Sequence, residues 1–127
     1  NHGYEFTPYE GGTLFDYIAE NTDADLVNFE LDILWAKHPG VNPADLLKKY
    51  GKRIKLIHLK DLKKGVKGDF SGKSHVNNDV ALGTGQIDIR AVIKAAKNAG
   101  VVYFYIEDES DFVNVQVPQS LAYLKKL

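Results

Sequence analysis

The sequence predicts an α/β fold of four βα units on a parallel sheet. Short apolar runs of strand type alternate with helical patterns along all 127 residues, an order typical of parallel strands joined by helices. Most of the strand runs are apolar on both faces, as the strands of a covered parallel sheet are. Four such units form either a small open sheet or half of an eight-stranded barrel, because a whole barrel has about 250 residues.

Three of the four helical patterns have a start or stop signal, and the last is indicated by the spacing of Leu121, Leu124 and Leu127. Thr13 with Asp16 three residues later indicates a capping box, and Asn42 before Pro43 indicates a cap followed by proline at the first helical position. Gly51 ends that helix, and Gly100 stops the helix predicted over 87–98. The predicted strands are 1–6, 26–31, 53–59 and 101–106; the predicted helices are 13–20, 43–50, 87–98 and 118–127; a long polar loop covers 60–86 and a shorter loop follows residue 32.

Composition excludes several classes of protein. The net charge of −1 gives no basic field for nucleic acid or an anionic membrane. No apolar run approaches the roughly 20 residues of a membrane span, so we expect a soluble protein, cytoplasmic or periplasmic. Cysteine is absent, which excludes thiolate metal sites and leaves Asp, Glu and His as ligands. Because the chain starts abruptly at Asn1, we expect a fragment, a cleaved chain or a partly ordered one.

Three side chains of metal-ligand type stand where strand-like runs end. Asp32, His58 and Glu107 each follow an apolar run, and in a parallel sheet all three emerge at the carboxyl-end face. Taken singly, such an Asp is most often a turn or cap residue and such a His a hydrogen-bonded structural group. Together, two carboxylates and an imidazole favour a divalent metal site that a further ligand or water completes.

Five segments of the chain carry motif-like patterns in a fixed order: NHGYEF (1–6), FELDILWAKHPGVNP (29–43), IKLIHLKDLKKG (54–65), LGTGQIDIRAVIKAAKNAG (82–100) and YFYIEDES (103–110). In this order they resemble motifs of the sugar phosphate isomerase/epimerase family, the xylose-isomerase-like TIM barrels. The resemblance covers nearly the whole chain and implies that 1–127 is one domain, the C-terminal half of a (β/α)8 barrel whose N-terminal half is a missing partner.

The resemblance also implies a function. Asp32, His58 and Glu107 are then metal ligands for Mn, Mg, Zn or Co, and Glu107 doubles as the catalytic acid or base. The expected enzyme is a divalent-metal-dependent isomerase, epimerase or related lyase that removes a proton next to a carbonyl of a sugar or sugar derivative. The fourth ligand is expected to be a His directly before Asn1, so the chain alone is expected to be inactive.

Further residues are candidates for substrate contact. His2 and Trp35 lie near the expected barrel mouth, and Lys60 follows His58 by two residues. Each also has a structural alternative. His2 would support the metal ligands, Trp35 would pack against the barrel rim, and Lys60 would form a surface ion pair. Asp61 either orients His58 or a substrate hydroxyl, or forms a surface ion pair. Many sugar epimerases have a His where this chain has Trp35, which favours the isomerase, epimerase, dehydratase and ketoglycoside-processing branch.

Two rival functions stay open. A metal-dependent endonuclease of the same superfamily requires a basic groove and further His ligands, and the balanced charge argues against it. The other rival is a non-catalytic, sugar-binding half-barrel. An isolated half exposes sheet edges, so a homo-oligomer is expected in that case.

Overall fold

A three-stranded parallel sheet with helices on one face forms the centre of the protein. The computed structural model describes residues 1–127. None of its helices has the length and apolar character needed to cross a membrane. In chain order the elements are β1 (Pro8–Tyr9), β2 (Gly12–Thr13), α1 (Leu14–Glu20), β3 (Phe29–Asp32), α2 (Ile33–Lys37), α3 (Pro43–Tyr50), β4 (Ile54–Leu59), β5 (Asp61–Leu62), β6 (Asp79–Val80), α4 (Ile89–Ala99), β7 (Tyr103–Ile106) and α5 (Val113–Leu124), with 3-10 helices at Tyr4–Phe6, Gly51–Arg53 and Val76–Asn78.

The parallel sheet has the strand order β3-β4-β7, which confirms the predicted parallel α/β arrangement. Asp32 lies opposite His58 in the β3-β4 pair, and Leu59 lies opposite Ile106 in the β4-β7 pair. The carboxyl ends of all three strands therefore meet at one edge of the sheet. Two further strand pairs, β1-β2 and β5-β6, are antiparallel and have two residues per strand.

The sheet has three parallel strands where four were predicted, and the difference lies in residues 1–6. Tyr4–Phe6 is a 3-10 helix, not the tail of a strand. The N–H of Phe6 donates to Gly3 O at 3.2 Å, and the N–H of Thr7 donates to Tyr4 O at 3.1 Å. These backbone groups are therefore bonded within the segment and are not paired with an adjacent strand. Phe6 is buried, and its ring stacks on that of Phe15.

Most helix boundaries follow the predicted signals. Thr13 caps α1 in a complete capping box with Asp16, and Asn42 caps α3, which covers the predicted range 43–50. α4 ends at Gly100, whose φ of 79° is readily adopted by glycine. α5 starts at 113, five residues before the predicted start, because the N–H of Gln116 closes a first turn by donating to Phe112 O at 3.0 Å.

The two faces of the sheet differ in burial. Leu31, Ile57 and Leu59 point into the layer of helices and are at most 1% exposed. Tyr103 and Tyr105 point the other way and are 55% and 47% exposed. His58 lies opposite Tyr105 and shares this open face. The protein thus has one apolar core, between sheet and helices, and a second sheet face that none of its own helices covers.

Candidate metal centre

Strand register brings the three predicted ligands together. Asp32 is the last residue of β3, and His58 lies directly opposite it in β4. Glu107 follows β7, and its N–H extends the ladder by donating to Leu59 O at 3.1 Å. One ligand atom from each residue lies within 4.8 Å of the other two. The structure therefore brings together the three side chains that were predicted from the sequence to be ligands. Their role as ligands stays a prediction.

The donor set fits a divalent ion. Ligand atoms that share an ion lie about 2.0–2.2 Å from it, so they are about 3–4 Å from one another. Oδ2 of Asp32 lies 3.7 Å from Nδ1 of His58, and Oε2 of Glu107 contacts the same nitrogen. Two carboxylate oxygens and one imidazole nitrogen suit Zn and also Mn or Co. These are the three residues that would hold the metal.

The same carboxylates raise the pKa of the His58 imidazole. The Asp32 carboxylate, 3.7 Å from Nδ1, is the largest influence that raises the pKa of His58 above its usual range; partial burial opposes it, and Glu107 and Glu30 add to the increase. The site thus attracts positive charge to the position between the ring and the two carboxylates. A divalent cation is favoured there by the same electrostatic field.

Asp32 is held by its backbone and by one of its two oxygens. Its Oδ1 accepts the N–H of Trp35 at 3.0 Å and caps α2, a short helix in a stretch for which a loop is predicted. Its N–H donates to Oδ1 of Asn1 at 3.0 Å, and its C=O accepts from the Asn1 amide at 3.3 Å. Oδ2 is left to face His58, so the carboxylate is oriented before any ligand arrives.

Lys60 lies beneath the site, with a side chain that is 1% exposed. Its Nζ is 3.2 Å from Oε1 of Glu107 and 3.5 Å from Oδ2 of Asp79, and it also contacts Glu109. Burial lowers the pKa of Lys60, but the hydrogen bond to Glu109 and the nearby carboxylates raise it above its usual range. The predicted substrate contact of Lys60 stays a prediction; in this structure the ammonium binds carboxylates.

A cavity of about 450 Å³ opens onto the ligand side chains. The rings of His2 and Trp35 lie 5.6 Å apart on its wall, so these two candidate contacts are brought to the site. Glu30 and Glu109 also line the cavity, although neither was predicted from the sequence. The strand alternation, which puts Glu30 on the face of Asp32, was the available signal for the first. The lining residues are Asn1, His2, Glu30, Asp32, Trp35, His58, Gly72, Glu107 and Glu109.

A larger cavity, of about 770 Å³, lies elsewhere, between α3 and α4. Its lining consists of Ala, Leu, Lys, Arg, Tyr, Gly and Asn side chains, without a carboxylate or an imidazole. It therefore offers none of the metal-ligand chemistry found at the carboxyl ends of the strands.

Curated relatives were found by sequence comparison, whereas no protein-family model matches the chain. Inosose dehydratases from two strains of Clostridium botulinum, Eklund 17B and Alaska E43, are each 33% identical over 104 residues. The match covers 76% of this chain and 35% of each relative. The chain thus spans about a third of the length of the curated relatives it matches.

Solved structures share the fold. A sugar phosphate isomerase/epimerase from Parabacteroides distasonis superposes with a TM-score of 0.78 at 22% identity, covering 100% of this chain and 44% of that one. A second one from the same organism gives 0.76 at 26%, covering 100% and 46%. The IolI protein with a bound zinc atom gives 0.62 at 23%, covering 87% and 39%. The predicted resemblance is confirmed.

Proposed function

We propose, starting from the confirmed resemblance to sugar phosphate isomerase/epimerase proteins, that this chain contributes the metal site of a divalent-metal-dependent enzyme acting on a sugar or sugar derivative. The proposed reaction is isomerisation, epimerisation or elimination that begins with removal of a proton next to a carbonyl. The convergence of Asp32, His58 and Glu107 at one edge of the sheet is the observation that carries the proposal.

Each residue has a role in this proposal. Asp32 and His58 bind the ion, which supplies polarisation of a carbonyl or hydroxyl oxygen when bound. Glu107 binds with one oxygen and is the base that accepts the carbon-bound proton. Lys60, 3.2 Å from the other Glu107 oxygen, holds that carboxylate in one orientation. Since Lys60 is buried, we assign it this positioning role before any substrate contact.

The cavity wall supports a sugar-type substrate. Trp35 and His2 offer flat rings, on which the C–H face of a sugar can pack while its hydroxyl groups reach the carboxylates. Glu30, Asp32, Glu107 and Glu109 line the same cavity, and no Lys or Arg is among its lining residues. The cavity wall therefore lacks the basic groove that the endonuclease alternative requires.

We further propose that the open sheet face is covered by the other half of a (β/α)8 barrel, with a homo-oligomer as the alternative. The solved structures are matched over 44% and 46% of their length, in agreement with about half a barrel. Tyr103 and Tyr105 are exposed on this face, whereas parallel sheets are usually covered on both.

Metal analysis tests the metal site. The complete protein, loaded with Zn, Mn or Co and dialysed, is expected to retain one ion per chain. Asp32→Asn and His58→Gln each remove one ligand and should abolish retention, whereas Asp45→Asn on the surface of α3 is the matched control and should not. If Asp32→Asn and His58→Gln both retained as much metal as the wild-type protein, the proposed site would be wrong.

Proton exchange tests the chemistry. Incubation of candidate sugars and sugar derivatives with the metal-loaded complete protein in D2O should place deuterium at the carbon next to the carbonyl. Glu107→Gln should stop this incorporation. A metal-loaded protein that binds a sugar without any exchange or product would support the non-catalytic alternative.

A further inference from the structure

We propose that Glu30 is a positioning residue that orients the His58 ring so that Nδ1, not Nε2, is the metal-binding nitrogen. This inference rests on the metal site proposed above and goes beyond it by assigning a residue outside the three ligands. Oε1 of Glu30 lies 3.0 Å from Nε2 of His58.

The strand geometry brings Glu30 to this position. Glu30 and Asp32 are two residues apart in β3, so their side chains emerge on the same face. Asp32 lies directly opposite His58, and Glu30 lies opposite Leu56 in β4. Glu30 is therefore the diagonal neighbour of His58, within reach of a long side chain.

The two ring nitrogens have different surroundings. Nδ1 faces the carboxylates of Asp32 and Glu107, whose oxygens belong to the proposed ligand set. Nε2 faces only the carboxylate of Glu30, which is outside that set. A neutral imidazole has one N–H donor and one lone-pair nitrogen. Donation from Nε2–H to Glu30 leaves the Nδ1 lone pair directed at the ion, because the bond at one nitrogen decides the state of the other.

Glu30 has no other partner that explains its presence. Its carboxylate makes no other hydrogen bond or ion pair, and its side chain is 42% exposed. Glu is also among the residues depleted in strands, so packing in β3 does not favour it over Val or Thr. The contact with His58 is the interaction that a carboxylate at this position provides.

Cadmium NMR on the complete protein identifies the bound nitrogen. The protein is labelled with 15N-histidine and loaded with 113Cd, and the 113Cd–15N coupling shows which nitrogen of His58 is ligated. We expect coupling to Nδ1, with Nε2 protonated. Coupling to Nε2 in the wild-type protein would overturn the proposal, and this measurement needs no variant. If the wild-type protein binds no ion at these residues, the proposed metal site itself fails, which is a separate result.

Two variants test the role of the Glu30 oxygen. Glu30→Val removes the acceptor but suits a strand, and we expect a loss of about 10- to 100-fold in Zn affinity together with mixed nitrogen ligation. Glu30→Gln removes the charge but keeps an oxygen acceptor, so it is the matched control and should keep Nδ1 ligation and most of the affinity. If Glu30→Val bound Zn as tightly as the wild-type protein, and through Nδ1 of His58 alone, Glu30 would not position the ring.

Discussion

The N–H of Gly85 donates to Oδ2 of Asp61 at 2.9 Å, in a contact so close that a Cβ on Gly85 would lie 2.3 Å from the other Asp61 oxygen. Asp61 is 1% exposed, and burial raises its pKa, although the backbone donors lower it. It anchors the loop before α4 and is not a surface ion pair. The four N–H groups that it accepts belong to Leu62, Gly83, Gly85 and Ile87.

Gly85→Ala should destabilise the protein by about 1–3 kcal/mol, because the added methyl group must displace the Asp61 carboxylate or the Leu62 carbonyl, 2.4 Å away. The measurement is the free energy of unfolding by urea. Lys64→Ala, on the exposed part of the long loop, is the control and should change stability by no more than about 0.5 kcal/mol. Equal stability of Gly85→Ala and wild type would contradict the close contact.

Asp16 should give the fold a dependence on acid pH. Burial by itself raises its pKa, but hydrogen bonds from Tyr50, Lys49 and Thr13 hold it well below its usual range. The ionised form is therefore favoured by folding, and its contribution is complete above the unfolded-state pKa of about 3.9 and is lost as pH falls through the lower folded-state value. Asp16→Asn should cost about 2 kcal/mol at pH 7 and progressively less below pH 4.

Urea unfolding of Asp16→Asn and wild type at several pH values between 7 and 3 measures this difference. Asp45→Asn is the matched control, because Asp45 is exposed and pairs only with Lys48 on the same helix. Such a surface pair contributes at most about 0.5 kcal/mol. A stability difference for Asp16→Asn that is independent of pH would show that the hydrogen bonds to the carboxylate do not favour its ionised form.

Lys60→Met should destabilise the protein by about 2 kcal/mol or more, since it leaves Asp79 buried without its counter-ion. The exposed parts of Glu107 and Glu109 reduce this cost, because water solvates them. Thermal unfolding measures the loss. The change should also weaken metal retention, because Glu107 loses the contact that orients it. Lys63→Met, a neighbouring exposed lysine, is the control; wild-type stability of Lys60→Met would argue against the buried cation.

Trp35 is the only tryptophan of the chain, so its fluorescence reports on the cavity. We expect binding of a sugar ligand to the metal-loaded protein to change this emission, because Trp35 and His2 line the cavity beside the proposed ligands. His2→Ala should weaken the sugar titration while leaving metal retention unchanged. His75→Ala, an exposed histidine that is not among the lining residues, is the control. An unchanged titration in His2→Ala would remove His2 from the proposed substrate contacts.

Local patterns accounted for the elements that depend on a few neighbouring residues. The capping box at Thr13, the Asn42-Pro43 start of α3 and the glycine at the end of α4 were all predicted, since each acts within one helical turn. Residues 1–6 were wrongly interpreted as a strand. Phe6 is buried and its ring stacks on that of Phe15, a contact that the spacing of apolar residues does not show.

The sequence by itself determined the alternation of strands and helices and the placing of Asp32, His58 and Glu107 at strand ends, because periodicity and chain order are local properties. Tertiary structure alone decided that Lys60 is buried among carboxylates, that Asp61 anchors a loop, and that Glu30 faces Nε2 of His58. These contacts join residues far apart in the chain. They depend on strand register and side-chain packing, which are settled only when the whole sheet and its helices assemble.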